Sequence, residues 1–241
     1  MSKLLENIFR SVNIALVNEL ALLCERMGID IWEVIEAAKT KPFGFMAFCP
    51  GPGVGGHCIP VDPYYLSWKA RAYDFYTKFI ELAAEVNQAM PFHVVGKVEE
   101  ALDRYAGRGL RGARVLVLGV AYKREVEDTR NSPAERILEL LLRRGAEAAY
   151  HDPYVPRFRV GGDPFYPEAR ELASAPLTEE WLRWADAVVI VTGHRAVDYR
   201  RVVQTARLVV DTCHATAGLP KGTATIVRLG APMPEPPEGP R

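Results

Sequence analysis

The 241-residue sequence has no excess of either charge: 30 Lys and Arg stand against 30 Asp and Glu, a formal net charge of zero. A general nucleic-acid binder needs a basic surplus or stripe to meet the phosphate backbone, so that class is set aside. Cysteine is scarce. Cys24, Cys49, Cys58 and Cys213 form no CxxC pair, which argues against a zinc cluster and for free thiols in a reducing cytoplasm. The five histidines do not stand beside carboxylates at metal-ligand spacing along the chain, and no metal is expected. A long uncharged apolar run is also missing. The most apolar stretch, at the N-terminus, is broken by Lys3, Glu6, Arg10 and Glu19, so neither a signal-peptide core nor a membrane span is expected. There is no internal repeat.

What is present suffices for a sizeable core, with hydrophobic residues at 49%. Leu4, Leu5, Ile8, Val12, Ala15, Leu16, Leu20 and Leu23 recur at three- and four-residue intervals. That spacing predicts a helix over 3–27, closed by Gly28, with Cys24 buried beside Leu16, Leu20 and Leu23. A shorter helix should run over 30–40, capped by Asp30. The segment PFGFMAFCPGPGVGGHCIPVDP is too rich in Pro and Gly for regular structure and reads as a loop. Helical patterning resumes over 64–71 and 76–105, where Pro91 should kink or divide the helix. The character changes at Gly107. Short apolar blocks over 114–119, 186–191 and 207–211, and a weaker one over 146–151, alternate with a helix over 132–144 begun by Ser132 and Pro133. Such alternation implies a parallel α/β sheet. The expected layout is a helical domain over 1–106, a Rossmann-like α/β domain over 107–230, and a Pro-rich, disordered tail over 231–241.

Gly51–Gly56, reading GPGVGG, satisfies GxGxxG, but the dinucleotide fingerprint needs a strand before it and a helix opening out of it. Neither is expected here, so the glycines read as backbone facing a ligand in preference to a plain turn. Cys58 ends this loop. The residues alone leave it open between a buried small hydrophobe and a nucleophile supported by exposed amides. Lys3 and Asn7 share one helix face. Lys123 and Arg130 lie after the first strand, where ligands bind in open sheets, and Ser132 starts a helix aimed at the same place. His151-Asp152-Pro153 reads as a turn.

Three segments stand in one order: KLLENIFRSVNIALVNELA, then KPFGFMAFCPGPGVGGHCIPVDPYYLSWKA, then LGVAYKREVEDTRNSPA with HDPY and VVDT behind it. Together they resemble the UDP-glucose/UDP-N-acetylhexosamine 6-dehydrogenase family from Lys3 to about Gly218, and GGHCIPVDP resembles its bacterial N-acetylhexosamine branch. The resemblance implies oxidation of a UDP-sugar C6 alcohol to a uronate, with NAD as cofactor, for polysaccharide precursors. It implies Cys58 as nucleophile, Lys3 and Asn7 as charge stabilisers near C6, and Asp62 in water activation. Gly53, Gly55, Tyr122 and Lys123 would line the UDP-sugar, and Arg130 would reach NAD. It also implies a homodimer built on the helical central domain. Residue 213 is Cys where the family has a substrate-contacting Arg; His214 replaces an Asn, and Cys49 an aromatic. The family places an NAD-binding Rossmann domain ahead of the first helix, and this chain is expected to lack it. Three readings follow: a half-enzyme completed by a separately encoded NAD-binding half, a non-catalytic UDP-sugar-binding remnant, or a fragment of an ordinary enzyme.

Overall fold

The computed structural model describes residues 1–236. Helix α1 spans Ser2–Met27 and closes at Gly28, whose φ of 70° lets Ile29 N–H reach back to Cys24 C=O. The face it buries is not the leucine face. Ser11, Ala15, Val17, Asn18 and Ala21 are buried, while Leu5, Leu16, Leu20 and Leu23 are exposed and Cys24 is half-buried. Small residues let α1 lie close along α4 (Lys78–Ala106), whose buried face carries Ile80, Met90, Val94 and Leu102. By length and composition α1 is apolar enough to cross a membrane, yet Asn18 and Ser11 hydrogen-bond inside the helical packing. Helix α2 (Ile31–Ala38) starts at Asp30, whose Oδ1 accepts from Trp32 N–H at 3.0 Å.

One expectation about proline fails, and of the kink or division expected at Pro91 the division does not occur. CIPVDP is not loop: α3 (Cys58–Ala70) begins at Cys58. Pro60 falls in the first turn, where a helix amide has no partner to lose. Pro91 does not divide α4, which runs unbroken for 29 residues. The Asn87 carbonyl, which Pro91 cannot serve, faces Gly53 instead.

The α/β unit holds a five-stranded parallel sheet in the order β2-β1-β5-β6-β7. Its strands are β1 (Arg114–Leu118), β2 (Glu147–His151), β5 (Ala187–Ile190), β6 (Leu208–Asp211) and β7 (Thr225–Arg228). An antiparallel pair, β3 (Arg157–Val160) and β4 (Arg170–Ala173), is inserted after β2. The first four sheet strands match the apolar blocks. The short, half-buried β7 and the polar hairpin carry no such signal. Helix α5 (Pro133–Arg143) packs one sheet face, and α6 (Glu179–Trp184) and α7 (Tyr199–Thr205) the other.

Helix α4 belongs to both units. Val94, Val95, Val98 and Leu102 share a core with Val115, Val117 and Ile137. The chain after β7 also returns to the helical unit. Ile31 N–H donates to Gly230 C=O, and Trp32 Nε1–H to Leu229 C=O, both at 2.8 Å. Ala231 is buried, Met233 packs on the core and Pro234 C=O accepts from Tyr105 O–H. The expected disorder from 231 therefore does not hold there, because these contacts offset the entropy of ordering it. Residues 237–241 lie outside the described ones.

Glu25 ties these parts. Its carboxylate meets Lys97 Nζ at 2.8 Å and His93 Nε2 at 3.0 Å, and accepts Gly230 N–H at 2.6 Å. Burial alone raises its pKa, but His93 and Lys97 outweigh this and hold it below the ordinary range. Glu25→Ala leaves Lys97, 4% exposed, without its counter-charge. We expect a loss of about 3 kcal/mol in urea unfolding at pH 7. A depressed carboxylate contributes stability above its unfolded pKa, so the gap should narrow as pH falls below about 4.3. An equal gap at pH 3 would contradict this role.

Candidate active site

Cys58 is the first residue of α3, so its thiol sits at a helix N-terminus, and Asp62 follows one turn later on the same face. Across from them, Lys3 and Asn7 stand one turn apart on α1. Lys3 Nζ lies 2.9 Å from Asp62 Oδ2, and Asn7 Nδ2 donates to the same oxygen at 3.1 Å. The hydrogen bond to Asp62, its charge and that of Cys58 hold the Lys3 ammonium above the ordinary lysine range. His57 completes the group. The structure thus brings together Lys3, Asn7, Cys58 and Asp62, from segments more than 50 residues apart.

The loop ahead of Cys58 is pinned at both ends. Asn18, fully buried, accepts Gly51 N–H at 2.9 Å and donates to Asn87 Oδ1 at 2.9 Å. Asn87 Nδ2 donates onward to Ser11 C=O. At the far end Gly56 N–H donates to Arg130 C=O at 2.8 Å, and Asn131 Nδ2 to Gly56 C=O at 2.9 Å. Between them the backbone runs so close to the α/β unit that a Cβ on Gly55 would meet Tyr122 Cβ at 2.8 Å and the Asn131 carbonyl oxygen at 2.9 Å. Gly53, at φ 134°, faces Asn87 C=O and Pro133. These glycines are demanded by a seam between two parts of the protein, a reason invisible in the sequence. A cleft of about 640 Å³ lies beside the seam, lined by Gly53, Asn87, Asn131 and Arg136. It does not include Cys58, whose cluster opens to solvent past Lys3 and His57.

The third contributing segment follows β1. Tyr122 lies against Gly55 and Gly56, and Lys123 Nζ lies 5.4 Å from the Tyr122 ring centre. Arg130 is clamped to Asp128 through Nε and Nη2, and this pairing drives the Asp128 carboxyl down to about 2. Two residues that sequence reasoning passed over hold this segment. Asp152 Oδ2 accepts the amides of Val120 and Ala121 at 2.7 and 3.1 Å and lies 3.1 Å from His194 Nε2. His194 Nδ1 accepts Glu125 N–H at 3.1 Å, which leaves Nε2 as the donor to Asp152. Burial raises the Asp152 pKa, but His194 and the amides outweigh it and leave it below normal. The HDP stretch is therefore an anchor for the 120–125 loop. At the β6 end, Arg124 Nη2 donates to Cys213 C=O at 3.4 Å, and His214, at φ 59°, stacks flat on Trp32 with centroids 4.2 Å apart.

A dinucleotide does not fit the described residues. A helix does open after GPGVGG, contrary to expectation, but no strand precedes it and the Gly55 Cβ position is filled by protein. Of the strand-to-helix steps among the described residues, β1 to α5 carries one glycine, Gly119, whose Cβ position is blocked by Thr192; β5 to α7 carries one, Gly193, crowded by Cys213, Ala215 and Arg124; and β4 to α6 carries none.

Two models of one family match the chain: the UDP-glucose/GDP-mannose dehydrogenase family central domain over residues 1–89, and the UDP binding domain of the same family over 116–217. A UDP-N-acetyl-D-mannosamine dehydrogenase of Pyrococcus horikoshii is 38% identical over 216 residues, covering 88% of this chain and 47% of that protein. An NDP-N-acetyl-D-galactosaminuronic acid dehydrogenase of Ralstonia solanacearum is 34% identical over 216 residues, with the same coverage. The solved structure of the UDP-D-ManNAc dehydrogenase from Pyrococcus horikoshii superimposes with a TM-score of 0.79 at 34% identity, over 95% of this chain and 51% of that one. The chain spans less than half the length of the curated relatives it matches, 40% of the one from Methanococcus maripaludis.

The seam separates two glycine substitutions. Gly55→Ala forces a Cβ onto the Asn131 backbone and should cost about 2 kcal/mol. Gly51→Ala meets nothing within 4 Å and should stay within about 0.5 kcal/mol of the parent. Paired thermal melts read the difference, and equal melting temperatures would refute the seam.

Proposed function

The chain belongs to the UDP-glucose/GDP-mannose dehydrogenase family, carrying its central and UDP-binding domains. From that membership we propose that it is the substrate-binding and catalytic-cysteine part of an NAD-dependent nucleotide-sugar 6-dehydrogenase. The observation that carries the reading is the convergence of Lys3, Asn7, Cys58 and Asp62 at the start of α3. Cys58 Sγ adds to the C6 aldehyde of the bound sugar. The oxyanion so formed is met by the Lys3 ammonium and the Asn7 amide. Once that adduct has lost its C6 hydride and become a Cys58 thioester, Asp62, bonded to Lys3 and Asn7, accepts a proton from the water that attacks the thioester, which releases the acid and returns the thiol. The alcohol-to-acid change gives up two hydrides, one to form the aldehyde and one to form the thioester; two NAD would accept them, held by a part of the enzyme that these residues do not form, in the same or a separate polypeptide.

The UDP-sugar lies along Gly53, Gly55, Tyr122 and Lys123, with Arg130 toward the NAD side. The names of the relatives favour a 2-acetamido sugar, giving a uronate for cell-surface polysaccharide in the cytoplasm. A non-catalytic UDP-sugar-binding module is the competing reading, and Cys213, where the family has Arg, would weaken the nucleotide grip that either reading needs. Against that loss, the Arg124 guanidinium reaches the Cys213 carbonyl and puts a cation at the same strand end.

Calorimetry with UDP-N-acetylmannosamine should show binding to the 241-residue chain. The same chain with NAD and the sugar should give no rise in NADH absorbance, because the nicotinamide is not held against C6. Absence of heat with every UDP-sugar tried would overturn the substrate site, and steady NADH formation would overturn the missing acceptor site.

We further propose a homodimer. Tyr65, Trp68, Phe75, Tyr76, Phe79 and Leu82 are all exposed along α3 and the start of α4. A patch this apolar is rare on a monomer. Sedimentation at micromolar concentration should show a dimer that Trp68→Glu with Phe79→Glu weakens at least about tenfold. A monomer in the unmodified chain would refute it.

A further inference from the structure

We infer that His57, Cys58 and Asp62 form a binding site for a borderline-soft divalent cation, zinc being the one that fits. A ring nitrogen of His57, the Cys58 Sγ and a carboxylate oxygen of Asp62 lie within 4.8 Å of one another. Cys58 and Asp62 are one helical turn apart on α3, so their side chains project side by side. His57 is the cap residue of that helix, at φ −93° and ψ −46°, and is exposed. Its ring makes no hydrogen bond or ion pair with the described residues and is free to turn.

The ligand set is sulfur, nitrogen and oxygen, one of each. Zinc takes these at about 2.3, 2.0 and 2.0–2.2 Å and leaves a fourth position to water when three protein groups hold it. The ligand atoms need to close by roughly an ångström from their present separations, which rotation of the exposed His57 ring allows. Thiolate excludes magnesium and calcium from preference. Both neighbouring donors, Lys3 Nζ and Asn7 Nδ2, bond Asp62 Oδ2, so Oδ1 is the oxygen open to a metal. Lys3 then stays on Oδ2, orienting the carboxylate while its charge weakens cation binding. As the sulfur–metal bond forms, the Cys58 thiol releases its proton to solvent. The lone pair needed for attack on carbon is then engaged by the metal.

This site is not legible in the sequence, because His57 and Cys58 are adjacent and adjacent residues on a regular helix do not face each other. The exposed His57 side chain nonetheless brings a ring nitrogen within 4.8 Å of the Cys58 Sγ and the Asp62 carboxylate. The site rests on ligand geometry. Only its consequence, reversible silencing of the thiol, rests on the proposed role of Cys58, and the test below reads no turnover.

Cobalt(II) reports a thiolate ligand by a near-ultraviolet sulfur-to-metal charge-transfer band and a tetrahedral site by visible bands. Titrating the 241-residue chain with cobalt should produce both, and zinc should abolish them. Cys58→Ser should remove the charge-transfer band, whereas Cys49→Ser and Cys213→Ser should keep it. His57→Ala should weaken binding at least about tenfold. Should a variant misfold by circular dichroism, the unmodified chain still decides: zinc should slow alkylation of Cys58, mapped by mass spectrometry, and leave the Cys49 rate unchanged. No cobalt band at saturation, a band that survives Cys58→Ser, unchanged affinity in His57→Ala, or no protection of Cys58 by zinc would each overturn the site.

Discussion

The approach of the 53–56 backbone to Tyr122, Asn131 and Pro133 is the constraint on which the rest depends. A side chain at Gly55 has no room, so the loop can rest on the α/β unit only as bare backbone. Resting there, it fixes where α3 begins, and hence where Cys58 stands. Buried Asn18, held in place by Asn87, does the same work from the helical side, since its Oδ1 would be left unmet if Gly51 moved away. Position at the cluster is thus imposed from both flanks before any reacting group is considered.

The same division of labour appears in the charges. Lys3 and Asp62 are a partly exposed pair whose value is orientation, not stability. Glu25 with Lys97, and Asp152 with His194, are buried pairs whose loss leaves a charge or polar group stranded. The exposed pair keeps its ammonium and carboxylate available to an incoming molecule. The buried pairs hold the elements that carry it.

Much of this was legible in sequence. Strands β1, β5 and β6 are continuous apolar runs, as strands covered on both faces must be, and Asp30, Ser132 and Gly28 act as the caps their residue types suggest. The motif order indicated which segments belong together, and Lys3, Asn7, Cys58 and Asp62 do meet. Three things were not legible. The buried face of α1 is its small-residue face, because close helix packing outweighs side-chain size there. The helix through CIPVDP was hidden by two prolines: Pro60 costs little in the first turn, and Pro63 is accepted inside the helix. Asp152 and His194 looked like a turn and a stray histidine because their partners are backbone amides far along the chain.

The return of the chain after β7 bears on how the molecule comes to exist. Gly230 N–H bonds Glu25 across a separation of 205 residues. That contact cannot form during synthesis until Gly230 has emerged from the ribosome, roughly 10–40 s after Glu25 at ordinary synthesis rates. Until Lys78–Ala106 is synthesised, the inner face of α1 lacks α4, and until Gly230 follows, Glu25 lacks its last partner. Long-range closure of this kind is slow because loop entropy is lost before the contact repays it. The nascent chain should therefore depend on chaperone shelter over its first helix more than its native compactness suggests.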